Sequence, residues 1–125
     1  MEHPNATTFR EMDAAMQQGD WATVATYLDD DVVWHEIGSS EPKRGKAGMM
    51  GQEPGGAAAD YDIKYAVHDV VANDDHTIAL GEATATRNGK SLTYRTAEIM
   101  HVRNGKVTER WAFSDDTQRI IDFFK

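Results

Sequence analysis

The chain has 125 residues, of which 40% are hydrophobic and 27% charged, a globular composition with enough length for one core. The net charge of −8 argues against a polyphosphate partner, since nucleic acid requires a basic face. The absence of cysteine excludes disulfides, thiolate metal sites and thiol nucleophiles. No apolar run approaches the ~20 residues of a membrane span, and the N-terminus lacks a basic-then-apolar signal pattern, so a cytoplasmic protein with no membrane partner is expected.

In chain order, Thr8 and Glu11 have capping-box spacing, and Phe9, Met12 and Met16 repeat at helical intervals. Gly19 ends that helix and Asp20 can cap a second, carrying Trp21, Val24 and Leu28. Residues 31–37 have the β-branched and aromatic content of a strand. Residues 38–60, with six glycines and two prolines, read as a loop with one short helix, covering one side of a pocket. From residue 61 onward strands dominate: 61–71, 77–87, 91–103 and 106–113, with turns at Asn73-Asp74-Asp75, Asn88-Gly89 and Asn104-Gly105. Asp115 or Asp116 can cap a last helix, in which Ile120, Ile121 and Phe124 pack back on the body. Helices first and a strand meander later define a single α+β domain over residues 1–125, its curved sheet wrapped around the first helix.

Strand alternation places His35 on one face with Val33 and Ile37, and Trp34 and Glu36 on the other. Imidazole titrates near neutrality and suits proton transfer, although a histidine on a half-buried strand can equally be satisfied by backbone. On a later strand Glu98 follows Tyr94 and Thr96 with the same parity, and Arg110 shares a face with Ala112 and Ser114. Arg110 is a partner for Glu98 or an anchor for a carboxylate or enolic ligand. Ala79, Gly81, Ala83 and Ala85 line one face of their strand. Facing inward, they leave room for a ligand; facing outward, they form a flat subunit contact. Gly45-Lys46 is not followed by Ser or Thr, so there is no phosphate-binding loop. The histidines lack ligand spacing on a helix, and neither a metal nor a cofactor is expected.

Two blocks carry a family resemblance. Gly19-Asp20-Trp21 with the stretch from Tyr27 to His35, and the hairpin from Ile99 to Trp111 across Asn104-Gly105, resemble the frame of the nuclear transport factor 2-like superfamily. Within it the chain is similar to ketosteroid isomerases and SnoaL-like polyketide cyclases. The resemblance implies a cone-shaped, curved antiparallel or mixed sheet around N-terminal helices, the cystatin-like α+β roll. It places His35 where ketosteroid isomerase has its catalytic aspartate, and Glu98, counted from the hairpin glycine Gly89, where that family has its oxyanion-hole acid. Met12 replaces the family's oxyanion tyrosine, so steroid isomerisation itself is not expected. Trp111 to Asp115 resembles the closing motif of the cyclases, where such an aspartate is an acid/base group and a histidine stands at the position of His101. Parity separates His101 from Glu98, and Glu98 is preferred inside. The Arg-x-Asp pattern of limonene epoxide hydrolases is absent, since Ala97 follows Arg95 at plus two.

The resulting expectation is a cofactor-independent acid/base enzyme acting on a hydrophobic carbonyl compound by isomerisation, aldol-type cyclisation or dehydration. Its catalytic candidates are His35, Glu98 and Asp115, with Met12, Met16, Val33, Ile37, Tyr94, Thr96, Arg110 and Trp111 around the ligand. The alternative is a non-catalytic ligand-binding or accessory module. The resemblance also implies a homodimer paired through the outer face of the sheet.

Overall fold

A computed structural model describes residues 2–46 and 61–125. Helix α1 (Pro4–Gln17) begins one turn before the expected capping box. Proline at the first helical position has a preset φ and needs no N–H partner there, and the His3 ring accepts the Asn5 N–H at 3.1 Å. Thr8 instead donates its hydroxyl back to the Pro4 carbonyl at 3.1 Å. Gly19, at φ +70°, releases the chain into α2 (Trp21–Thr26), where Asp20 accepts the Thr23 N–H at 3.2 Å.

The strands are β1 (Leu28–Trp34), β2 (Lys43–Arg44), β3 (Tyr61–Ala72), β4 (Thr77–Arg87), β5 (Lys90–Arg103) and β6 (Lys106–Ser114). They form one mixed sheet in the order β2-β1-β6-β5-β4-β3. Only the β1–β6 pairing is parallel. Both Asn-Gly turns hold positive φ at each central residue, matching the twist of the strands they join. Asp116 caps the last helix, α3 (Thr117–Phe123), by accepting the Arg119 N–H at 3.1 Å. Most of the 38–60 segment, including its expected short helix, lies outside the described residues.

The concave face of the sheet takes the apolar side of α1. Phe9, Met12, Val24, Leu28, Val32 and Met100 are buried in one cluster. A second gathers Ala83, Ala85, Leu92, Tyr94 and Ile120 against α3. The small residues of β4 therefore face inward. Gly81 makes room for a neighbour. A Cβ there would lie 2.7 Å from the ring of Tyr65, so its bareness lets the phenol lie across the strand. No helix among the described residues is long and apolar enough to cross a membrane.

Gly81→Ala should thus displace the Tyr65 ring and destabilise the fold by about 1–3 kcal/mol, read as a lower urea midpoint at unchanged slope.

Candidate active site

A cavity of about 1020 Å³ opens between α1 and the concave sheet. Phe9, Met12, Met16, Trp21, Ile37, Ile63 and Phe124 supply its apolar wall. Its polar lining includes Asp13 on α1, Glu36, Lys43 on β2, Asp62 and Lys64 on β3, and a wall on the sheet formed by Tyr65 on β3, Thr96 and Glu98 on β5 and Arg110 on β6.

Arg110 organises this wall. Its residue is 8% exposed, and the guanidinium donates to Glu98 Oε1 at 3.0 Å and to the His35 carbonyl at 3.0 Å. It also lies over the Trp34 ring, 4.5 Å from the centroid, a cation–π contact strengthened by desolvation. Nε of Arg110 is buried without a hydrogen-bond partner among the described residues. The second Glu98 oxygen has no hydrogen bond to a described residue, and Glu98 is one of the residues lining the cavity.

Beside this pair, Thr96 donates its hydroxyl to the Tyr65 phenol oxygen at 3.1 Å. That leaves the phenol's own proton for a ligand. Burial, reinforced by the negative charge of Glu98, pushes the Tyr65 phenol up to about 12, so it stays protonated and acts as a donor. Burial likewise raises Tyr94, which lines the same space. Asp13 lies half-buried one helical turn from Phe9, and burial raises its carboxyl above the ordinary range, with the nearby charge of Glu98 adding to the shift. The Gln17 amide lies 3.5 Å from Asp13 and donates to the Tyr65 carbonyl at 2.8 Å. Glu36 also borders the cavity, paired with Lys43 at 3.1 Å.

The expected site is therefore partly rearranged. Glu98, Met12, Met16, Ile37, Tyr94, Thr96 and Arg110 all line the cavity. His35 does not. Its ring lies outside, stacked on Trp111 with centroids 5.3 Å apart and bonded to Glu109 at 2.9 Å. The alternation over residues 31–37 is as expected, but the face is reversed, because Val32 and Trp34 carry more buried apolar surface than the opposite side. Ile37 reaches the cavity only because the strand ends at Trp34 and parity lapses. Val33 does not line the cavity, and Trp111 joins His35 and His101 on the outer face. Asp115 is exposed and accepts the Arg95 N–H at 3.2 Å, closing the strand end away from the cavity. The His35 ring thus lies away from the cavity that Glu98 lines, and Arg110 holds Glu98.

Asp13, Glu36 and Tyr65 are site residues that the sequence pattern did not single out. Asp13 is i+4 from Phe9 and i−3 from Met16, so helical spacing already put it on the apolar stripe. Gly81 in a strand interior marked the close approach of a large group. Among the described residues no cluster of His, Asp and Glu is arranged to hold a metal ion.

The sequence matches the model of the SnoaL-like domain over residues 9–110, and the chain belongs to that family. Solved structures agree on the fold. Bal32a, from a soil-derived mobile gene cassette, is 24% identical over 97% of this chain and 96% of its own, with a TM-score of 0.84. An LEH-like epoxide hydrolase of M. tuberculosis is 18% identical over 96% of this chain and 86% of its own, with a TM-score of 0.74. IdmH of Streptomyces antibioticus, a candidate polyketide cyclase, is 22% identical over 98% and 100%, also at 0.74. No curated protein matches the sequence.

With its ring on the outer face, His35 is a clamp between β1 and β6. His35→Ala should cost about 1–2 kcal/mol in urea unfolding from the lost stacking and the lost hydrogen bond to Glu109, and leave ligand affinity in the cavity unchanged.

Proposed function

We propose that the chain is a small enzyme performing acid/base chemistry, without a cofactor, on a hydrophobic carbonyl compound bound in the conical cavity. The observation that carries this reading is the convergence of a protonated phenol and a fixed carboxyl group on the sheet wall of a cavity with a mainly apolar lining. The carbonyl oxygen accepts from Tyr65, whose own oxygen is polarised by Thr96. The free oxygen of Glu98 takes a proton from the carbon next to the carbonyl, and negative charge develops on the oxygen facing the phenol. Arg110 fixes the orientation of Glu98, and Trp34 with the His35 carbonyl fixes Arg110. Isomerisation, aldol-type cyclisation and dehydration all pass through such an enolate.

The competing reading, a ligand-binding accessory module, draws on the pairing of both Glu98 and Glu36 with cations, an arrangement that also suits a passive pocket. We also propose a homodimer. In the strand register Ile78, Ile99 and Trp111 form one row across β4, β5 and β6, and Leu80, Ala97 and Phe113 the next. The side chains in these two rows form a contiguous apolar strip on the outer face, with Phe113 55% exposed. A flat patch of this kind suits isologous pairing with a second copy.

The proton-transfer reading is tested with α-tetralone in D2O by proton NMR. Wild type should exchange the α-protons, Tyr65→Phe should slow exchange about 10²-fold, and Glu98→Gln should reduce it to background. A wild type that binds tetralone yet exchanges no faster than Glu98→Gln is a binding module.

Sedimentation should give twice the chain mass at micromolar concentration. Phe113→Lys should shift it to the monomer, and a wild-type monomer would end the dimer proposal.

A further inference from the structure

Among the described residues four carboxyl groups line the cavity: Glu98 and Glu36 each have a cation bound, Asp62 is exposed, and Asp13 is half-buried with no ion pair. Glu98 is held by Arg110 at 3.0 Å. Asp13 has only the Gln17 amide at 3.5 Å, a long contact, on a helix face packed among Phe9, Met12 and Met16. We infer that Asp13 is the general acid of this site, giving its proton to the departing hydroxyl of a β-hydroxy carbonyl substrate, so that the reaction is loss of water. This rests on the acid/base reading above and narrows its substrate class.

The number of groups carries the choice. Moving a double bond needs one carboxylate, which takes a proton and returns it, and a donor for the enolate oxygen. Eliminating water needs a third group, because hydroxide leaves poorly unless protonated. Glu98 and Tyr65 on the sheet supply base and oxyanion donor, and Asp13 on α1 supplies the acid from the other side of the cavity.

The step closes in atoms and charge. Glu98 takes the proton from the carbon α to the carbonyl, and the C–H electron pair becomes the enolate held by Tyr65. That pair returns to form the α,β double bond as the C–O bond breaks. Asp13 protonates the leaving oxygen, and water departs. Glu98 is then protonated and Asp13 ionised. Both groups line the same cavity, and the product water carries the proton from Glu98 to Asp13 and restores both.

The charged and titratable surroundings of Asp13 favour this direction of transfer. Burial and the charge of Glu98 raise the proton affinity of Asp13, while the Gln17 amide and, less, Arg10 one turn earlier on α1 lower it, and the net shift is upward. Tyr65 is a neutral donor, and Arg110 is committed to Glu98. Lys64 and the Lys43–Glu36 pair border the same cavity from β3 and β2, but Asp13 has no ion pair with either lysine.

The experiment uses the aldol adduct of benzaldehyde and acetone, whose loss of water forms a conjugated enone followed by its absorbance. Between about pH 4 and about pH 9, wild-type kcat/KM should fall as pH rises through the ionisation of Asp13. Asp13→Asn should lower it about 10²- to 10³-fold and remove that fall. The same variant reports on folding. A folded-state pKa above the unfolded one means the native state binds the proton more tightly, so the charge of Asp13 destabilises the fold as pH rises. Asp13→Asn should therefore melt higher than wild type at about pH 7 and level with it at about pH 3. An Asn variant within about threefold of wild type, or one that melts lower at both pH values, overturns the inference. A wild type that exchanges tetralone protons but forms no enone also overturns the inference and leaves the broader reading intact. A wild type that does neither overturns both.

Discussion

Everything on the polar wall depends on one buried cation. Arg110 joins three strands at a single point: β6, which carries it, β5 through Glu98, and the end of β1 through the His35 carbonyl. Taking a guanidinium out of water costs several kcal/mol, and Glu98 alone does not offset that. The Trp34 ring and the backbone carbonyl supply the remaining contacts. Such pairs rarely stabilise a fold relative to apolar residues of equal volume, and a fold selected only for stability would fill this point with hydrocarbon. Retaining the pair holds Glu98 in one orientation at the lining of an open cavity.

The same arrangement explains what the sequence discloses and what it withholds. Local chemistry is legible: Asp20 caps α2, both Asn-Gly pairs make the hairpins, and the strand from residue 77 to 87 has the expected bounds. Each of these is decided within a few residues. The start of α1 departs from expectation because His3 and Pro4 satisfy the first turn without a box of the usual kind. The face of β1 departs for a different reason. Alternation defines two faces without saying which is inward, and β1 takes its register from β6, some 80 positions away in sequence, with an irregularity between Leu28 and Val33. The size of Trp34 is a better guide than the acid/base suitability of His35.

The two faces of the sheet consequently divide the chemistry. The inner face of β5 presents Tyr94, Thr96, Glu98 and Met100, and its outer face carries Ala97, Ile99 and His101. The aromatic and imidazole rings of Trp111, His35, His101 and His76 form a chain of contacts on the outside, with centroids 5.0 to 5.3 Å apart. Residues that look catalytic by type thus serve cohesion, and plain residues such as Thr96 and Gly81 set the donor geometry. Type alone is a poor index of role when the direction of a side chain is unknown.

The cavity's selectivity follows from where its few polar groups lie. Apolar side chains from α1, α2, β3 and α3 surround most of the space, and they reward a hydrophobic ligand wherever it settles. Orientation then comes from the polar groups, among which Tyr65 and Glu98 on the sheet each have a neighbour that fixes their role. There the phenol of Tyr65 can only donate outward, since Thr96 occupies its oxygen, and Glu98 can only accept. A ligand that places a carbonyl oxygen against Tyr65 brings its neighbouring carbon toward Glu98. The reverse placement sets an acceptor against a carboxylate and leaves the phenol unpaired, a penalty of about 1–3 kcal/mol for a buried donor alone. A single donor and a single acceptor, each fixed in its role by a neighbour, are enough to choose between the two orientations.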